Sequence, residues 1–231
     1  VGVVAVKRKQ QRTMTAEELA ALLEADPAFR RRQAEADRRL GKRYERTERE
    51  LQVVLQRLSD AGVHVSSLHE LVERHAPLDM PIVETLLGSL PSMRDSVAIE
   101  IVVRALAAAD GPFDGRPLVE CFLRERDDGL RWAIANTIDA ARPVGIGDWV
   151  CEALRDPNTG PAREMLALAV TKLAPREKAV AALRAAIDAV PGHVATALGR
   201  VGADKEVELL RSRLDGAEGW VKKAILQAIK R

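Results

Sequence analysis

The residues of this 231-residue chain best suited to recognition are an indole and the polar groups set around it at a constant interval. Glu100, Trp132 and Glu164 follow one another at steps of 32, and Arg104 and Asn136 stand four residues after the first two. If that interval is a structural repeat, Trp132 lies between two carboxylates, with a guanidinium and a carboxamide one helical turn further on. An exposed Trp ringed by polar groups is the composition of a binding hot spot. Trp132, Glu100, Glu164, Arg104 and Asn136 are therefore the candidate partner-binding residues. Ala195 and Lys223 extend the first row, and Leu168, Gly199 and Gln227 the second. Packing of Trp132 against a neighbouring unit is the alternative left open.

Other chemistry is less well supplied. Arg131, Arg163 and Lys222 occupy one place in three units, which would suit phosphates. The preferred reading pairs each with a turn carboxylate, Asp127, Asp128, Asp156 or Asp215. His64, His69 and His75 cluster, but in HELVERH the residue four after His69 is Glu73 where a zinc helix needs a second His. That segment reads as a solvated helix without a metal. Cys121 and Cys151 lack the C-x-x-C spacing of reactive thiols and read as core fillers. No glycine-rich strand-to-helix loop and no Gly-x-Ser-x-Gly elbow is present, so neither catalytic nor cofactor-binding residues are expected.

The elements that must position these residues are legible in an apolar repeat. Leu106, Ile138, Val170, Val201 and Ile229 are spaced by 32, 32, 31 and 28 residues. Columns three residues earlier (Val103, Ala135, Ala167, Leu198, Leu226) and four earlier (Val102, Ile134, Leu166, Ala197, Ile225) accompany them. Three coincident columns at such a period indicate stacked units, each burying its apolar face against its neighbours. Leu87, Leu123, Leu154, Leu183 and Leu210 align as anchors of a preceding helix in each unit. Pro91, Gly111-Pro112, Pro143, Pro157, Pro161, Pro175, Pro191-Gly192 and Gly216 separate elements, while Pro81, Pro117 and Pro161 also suit first helical turns. The expectation is an all-α, right-handed solenoid of about five helix pairs over 62–231.

A helical extension is expected over 15–61. Thr15 and Glu18 form one capping box and Ser67 and Glu70 another. After Asp26-Pro27 a long charged helix runs from about Pro27 to Ser59, with Leu40, Tyr44, Thr47, Leu51, Val54 and Leu58 along one seam. Capping of the first pair by this helix is preferred to helix-mediated dimerisation, since the seam covers too few heptads for a coiled coil. Residues 1–60 carry 14 basic and 10 acidic groups, an excess of four that reads as a solvated face in preference to a nucleic-acid arm. Residues 1–14 read as a disordered leader.

Net charge is +2, from 36 basic and 34 acidic residues, so no strong global field draws the chain to nucleic acid or membrane. No apolar run approaches the roughly 18 residues that a membrane span requires. Two isolated cysteines fit a reducing compartment, and the chain reads as cytoplasmic.

The unit DWVCEALRDPNTGPAREMLALAVTKLAP closes its first helix with Leu and Asp-Pro, opens its second with Arg163 and ends in a column of small residues. Asp215 to Lys222 repeats that spacing; Arg131 keeps the basic residue across a shorter turn. Over about 78–231 the chain resembles the HEAT-repeat superfamily, in the short bacterial form related to the repeats of phycobilin lyases. The resemblance implies a non-enzymatic scaffold whose concave helix surface receives a protein or peptide. A nucleic-acid-binding or DNA-glycosylase-like HEAT protein, using Arg104, Arg131, Arg163 and Arg30–Arg32, is the alternative. Tetrapyrrole lyase or chaperone activity is a remote third.

Overall fold

The computed structural model describes residues 14–109, 111–202 and 204–230. All but one residue of the expected leader lie outside them. Among the described residues the structure is helical, with two isolated backbone bridges (Leu78 with Ala109, Asp114 with Val144) and no strand. Contacts divide the chain into two units, meeting between Arg46 and Thr47.

The first unit holds α1 (Ala16–Ala25) and the start of α2 (Pro27–Asp60). The Thr15 carbonyl accepts from the Leu19 amide, which opens α1, and Asp26 Oδ1 accepts from the Ala28 amide at 2.8 Å. Asp26-Pro27 thus both interrupts the chain and caps α2, with Pro27 at a position where no amide is needed. Leu40 and Tyr44, the upper part of the seam, are 48% and 65% exposed.

In the second unit the rest of that seam turns inward: Thr47, Val54 and Leu58 are buried and Leu51 is half-buried. The seam therefore works over its lower half, where polar groups add to it. The Thr47 hydroxyl donates to Asp95 Oδ1 at 2.7 Å, and the Glu50 carboxylate accepts from the Arg94 and Asp95 amides at 3.0–3.2 Å. Asp95 also caps α5 (Ser96–Leu106), accepting from the Val97 and Ala98 amides. A helix start that would leave amides unsatisfied is supplied by its own cap and by a carboxylate from α2.

α3 (Leu68–His75) begins as its capping box requires on one side: Ser67 Oγ accepts from the Glu70 amide at 3.1 Å. The reciprocal bond is displaced by one residue, because Glu70 accepts from the amide and hydroxyl of Ser66. These two bonds, with Arg74, hold the Glu70 carboxyl down at about 2. The side chain of Glu18 in the other box is not among the described ones.

The remaining helices alternate. α4 (Met80–Ser89), α6 (Arg116–Arg124), α8 (Gly147–Arg155), α10 (Arg176–Ala186) and α12 (Val207–Arg211) each precede one of α5, α7 (Asp128–Ala141), α9 (Arg163–Leu173), α11 (Pro191–Val201) and α13 (Gly219–Ile229). α5 packs on α7, α7 on α9, α9 on α11 and α11 on α13. Leu106, Ile138 and Val170 are fully buried, as are the residues three and four before them; Val201 and Ile229 are half-buried, and Leu226 is exposed. Thr137, also buried, donates its hydroxyl to the Val103 carbonyl at 2.9 Å, joining α7 to α5.

Two local expectations are corrected. Leu123 is 68% exposed, and the core position of α6 is taken by Phe122, with Leu118 and Cys121. Phe122 suits the site because Trp149 meets it edge-on at 5.2 Å and the Arg131 guanidinium lies 4.4 Å from its ring centre. Pro161 precedes α9 inside a 3-10 segment, Pro157–Ala162, whose Gly160 adopts φ 64°, ψ −145°. Cys121 and Cys151 are both buried, and burial pushes the Cys121 thiol up to about 11.

Leu58→Ala should lower unfolding free energy by about 2–4 kcal/mol, whereas Tyr44→Ala should change it by under about 0.5 kcal/mol. Urea melts of both variants check this; equal losses would place the two halves of the seam in like surroundings. Acid titration offers a second check. Glu70 is depressed from 4.5 to about 2, so its contribution is full above 4.5 and disappears as pH falls toward 2. Glu70→Gln should therefore melt below wild type at neutral pH and converge with it near pH 2.

Candidate partner-binding site

The residues singled out around Trp132 sit on α5, α7 and α9, which are neighbours in that order. Trp132 is half-buried, its ring packed against the core, and its Nε1 donates to Glu164 Oε2 at 3.2 Å. A gap of 32 residues in sequence is thus one hydrogen bond in space. Glu100 and Arg104 pair with each other on α5, Nη2 to Oε1 at 2.7 Å, so that part of the row carries no net charge. Asn136 is half-buried, one turn beyond Trp132.

Beyond Glu164 the row continues through residues that column arithmetic does not select. Ala195 is buried between helices and Lys223 is exposed. The next member is instead His193 at the start of α11, half-buried, with the Trp220 ring of α13 edge-on to it at 5.0 Å and 70°. Burial lowers the His193 pKa and the nearby Glu164 charge raises it less. Trp220 lies over Gly192, where a Cβ would stand 2.2 Å from the ring, so only glycine allows this placement. Leu168 packs on the core, and Gly199 faces Ala228 of α13 closely, a Cβ there standing 3.0 Å from the Ala228 Cα. His193 and Trp220 lie eight and nine residues before their anchors, outside the six-residue offset that found the others. The breaker Pro191-Gly192 was their one sequence signal, since it puts His193 in a first turn.

The basic ladder is used differently from the sequence expectation. Arg131 Nη1 donates to the Asn158 carbonyl at 2.9 Å, and Arg163 Nε to that of Gly160 at 3.4 Å. The turn carboxylates serve backbone amides: Asp127 accepts from Leu130, and Asp156 from Asn158. Helix N-termini present those amides closer to Asp than any guanidinium, and the guanidinium groups take the carbonyls left over. Lys222 is exposed.

His69 Nε2 and Glu73 Oε1 are 3.2 Å apart on the surface of α3, and His64 Nδ1 bonds Ser59. Among the described residues no three His, Cys, Asp or Glu side chains converge as a metal site. None of the described helices is long and apolar enough to cross a membrane.

Comparison with family models, with curated proteins and with solved structures finds no match to this chain.

Gly192→Ala should displace the Trp220 ring while costing no more than about 1 kcal/mol of stability, because the ring is already largely in water. In a background with Trp132 and Trp149 replaced by Phe, the remaining emission should shift on this change. An unchanged spectrum would mean that the ring does not rest on Gly192.

Proposed function

We propose that this chain is a cytoplasmic, non-enzymatic HEAT-like scaffold, a right-handed solenoid of about five helix pairs that binds a protein or peptide along its second helices. The fold part of this reading is supported by the unbroken series of neighbours from α5 to α13 and by the burial of the aliphatic columns between them. The observation that carries the binding part is the row from Trp132 through Glu164 and His193 to Trp220. It sets partly exposed aromatic rings and polar groups on four successive second helices. Binding energy at interfaces concentrates in such residues, and Trp is the most enriched of them.

The nucleic-acid alternative draws less support. Arg104 is neutralised by Glu100, and Arg131 and Arg163 are held by carbonyl oxygens, so these groups do not form a free cationic track. Phosphate binding demands one.

Panning a peptide library on the full chain should yield ligands whose affinity falls at least about tenfold in Trp132→Ala. Loss of that half-buried ring should itself lower stability by about 1–2 kcal/mol, less than the 3–5 of a fully buried Trp, so the variant remains folded for the assay. Ligands indifferent to Trp132 would remove the site. Duplex DNA binding that weakens steeply from low to physiological salt would replace this reading with the nucleic-acid one.

A further inference from the structure

Among the described residues the row holds one carboxylate, Glu164, that forms no ion pair. Glu164 is half-buried; among the described residues its side-chain partner is the Trp132 N–H, and it has no ion pair. Three other half-buried or buried carboxylates of this unit have a basic partner, Glu100 with Arg104, Asp139 with Lys172 and Glu206 with Arg184, while Glu50 is held by two backbone amides. Arg163, the residue before Glu164, donates to the Gly160 carbonyl, Arg131, the residue before Trp132, donates to that of Asn158, and Lys172 pairs with Asp139. Burial disfavours the charged form of His193, and the Glu164 charge offsets this only in part. A partly desolvated carboxylate favours a cation at its free oxygen. Indole faces attract cations through their quadrupole, and guanidinium most readily because it also stacks.

We infer that this row takes a cationic side chain, the guanidinium of Arg or the ammonium of Lys, from the bound peptide, with Glu164 as its counter-ion and the Trp132 and Trp220 rings beside it. The inference rests on the peptide-binding reading and narrows it to one chemistry. The Trp132 N–H occupies Oε2 of Glu164 and orients the carboxylate, leaving Oε1 for the incoming charge. An anionic side chain would meet Glu164 and is excluded from the same place.

The test uses the full chain, 15N-labelled, titrated with n-propylguanidinium chloride at constant ionic strength, with n-propylurea as the neutral match. The Trp132 indole N–H resonance, assigned by its loss in Trp132→Phe, should move saturably with the cation and stay put with the urea. Glu164→Gln retains an acceptor for the indole and should abolish the response. Trp220→Ala, at an exposed ring, should weaken it, and this variant covers the case in which Glu164→Gln misfolds. Equal responses to cation and urea, an undiminished response in Glu164→Gln, or no response to the cation would each overturn the inference. Library peptides that need Trp132 yet contain neither Arg nor Lys would refute the cation and leave peptide docking standing. Failure to obtain any peptide ligand would instead remove the docking reading itself.

Discussion

Close approach between successive second helices is the constraint on which the second unit depends. The fully buried residues of α7, α9 and α11 include many small ones: Ala133, Ala135, Ala167, Ala169, Ala195 and Ala197. Small residues bring two backbones near enough for a hydroxyl to reach a neighbouring carbonyl, as Thr137 does to Val103. The same proximity lets Trp132 of α7 donate to Glu164 of α9. With aromatics at 3% of the sequence, burial is distributed over many aliphatic groups, each worth about 0.8 kcal/mol per buried methylene. Larger residues in the alanine columns would open the spacing and separate the row along with the core.

Basic side chains do a second structural task between the elements. Arg57 donates to the Gly88 carbonyl at the end of α4, Lys172 to that of Asp139 in α7, and Arg176 to those of Val201 and Gly202 where α11 ends. Arg124 does likewise for Leu90 and Pro91. Each closes a helix C-terminus whose carbonyls lack intrahelical partners, and each places positive charge at the negative end of the helix dipole.

Much of this architecture was legible in the sequence because it is written in period and punctuation. The 32-residue interval located α5, α7 and α9 with their buried faces, and Ser67, Asp26-Pro27 and Pro191 marked helix starts. The weaker parts share a physical cause. Val201 and Ile229 are only half-buried, unlike the earlier anchors, so counting back from them selected Ala195 and Lys223, not His193 and Trp220. In α6 a Leu column hid the fact that a ring, Phe122, fills the core while Leu123 faces water. Pairing of like-placed basic and acidic residues was misjudged because opposite charge in sequence says nothing of which amide or carbonyl stands nearer. In the candidate site, Trp132 and Glu164 were found by interval alone, whereas the uncompensated state of Glu164 depends on where every neighbouring cation has gone.

The tie between α2 and the start of α5 bears on how the chain divides. Thr47 and Glu50 satisfy the polar groups around Asp95 from a helix that ends only at Asp60. Trimming at the loop after Asp60, where a reader of helix ends would cut, strips the Arg94 and Asp95 amides of the Glu50 carboxylate and takes Val54 and Leu58 out of the core. A shortened version beginning just ahead of Thr47 keeps both the acceptors and the aliphatic cover. The natural seam for dissection therefore falls within a continuous helix and not at its end.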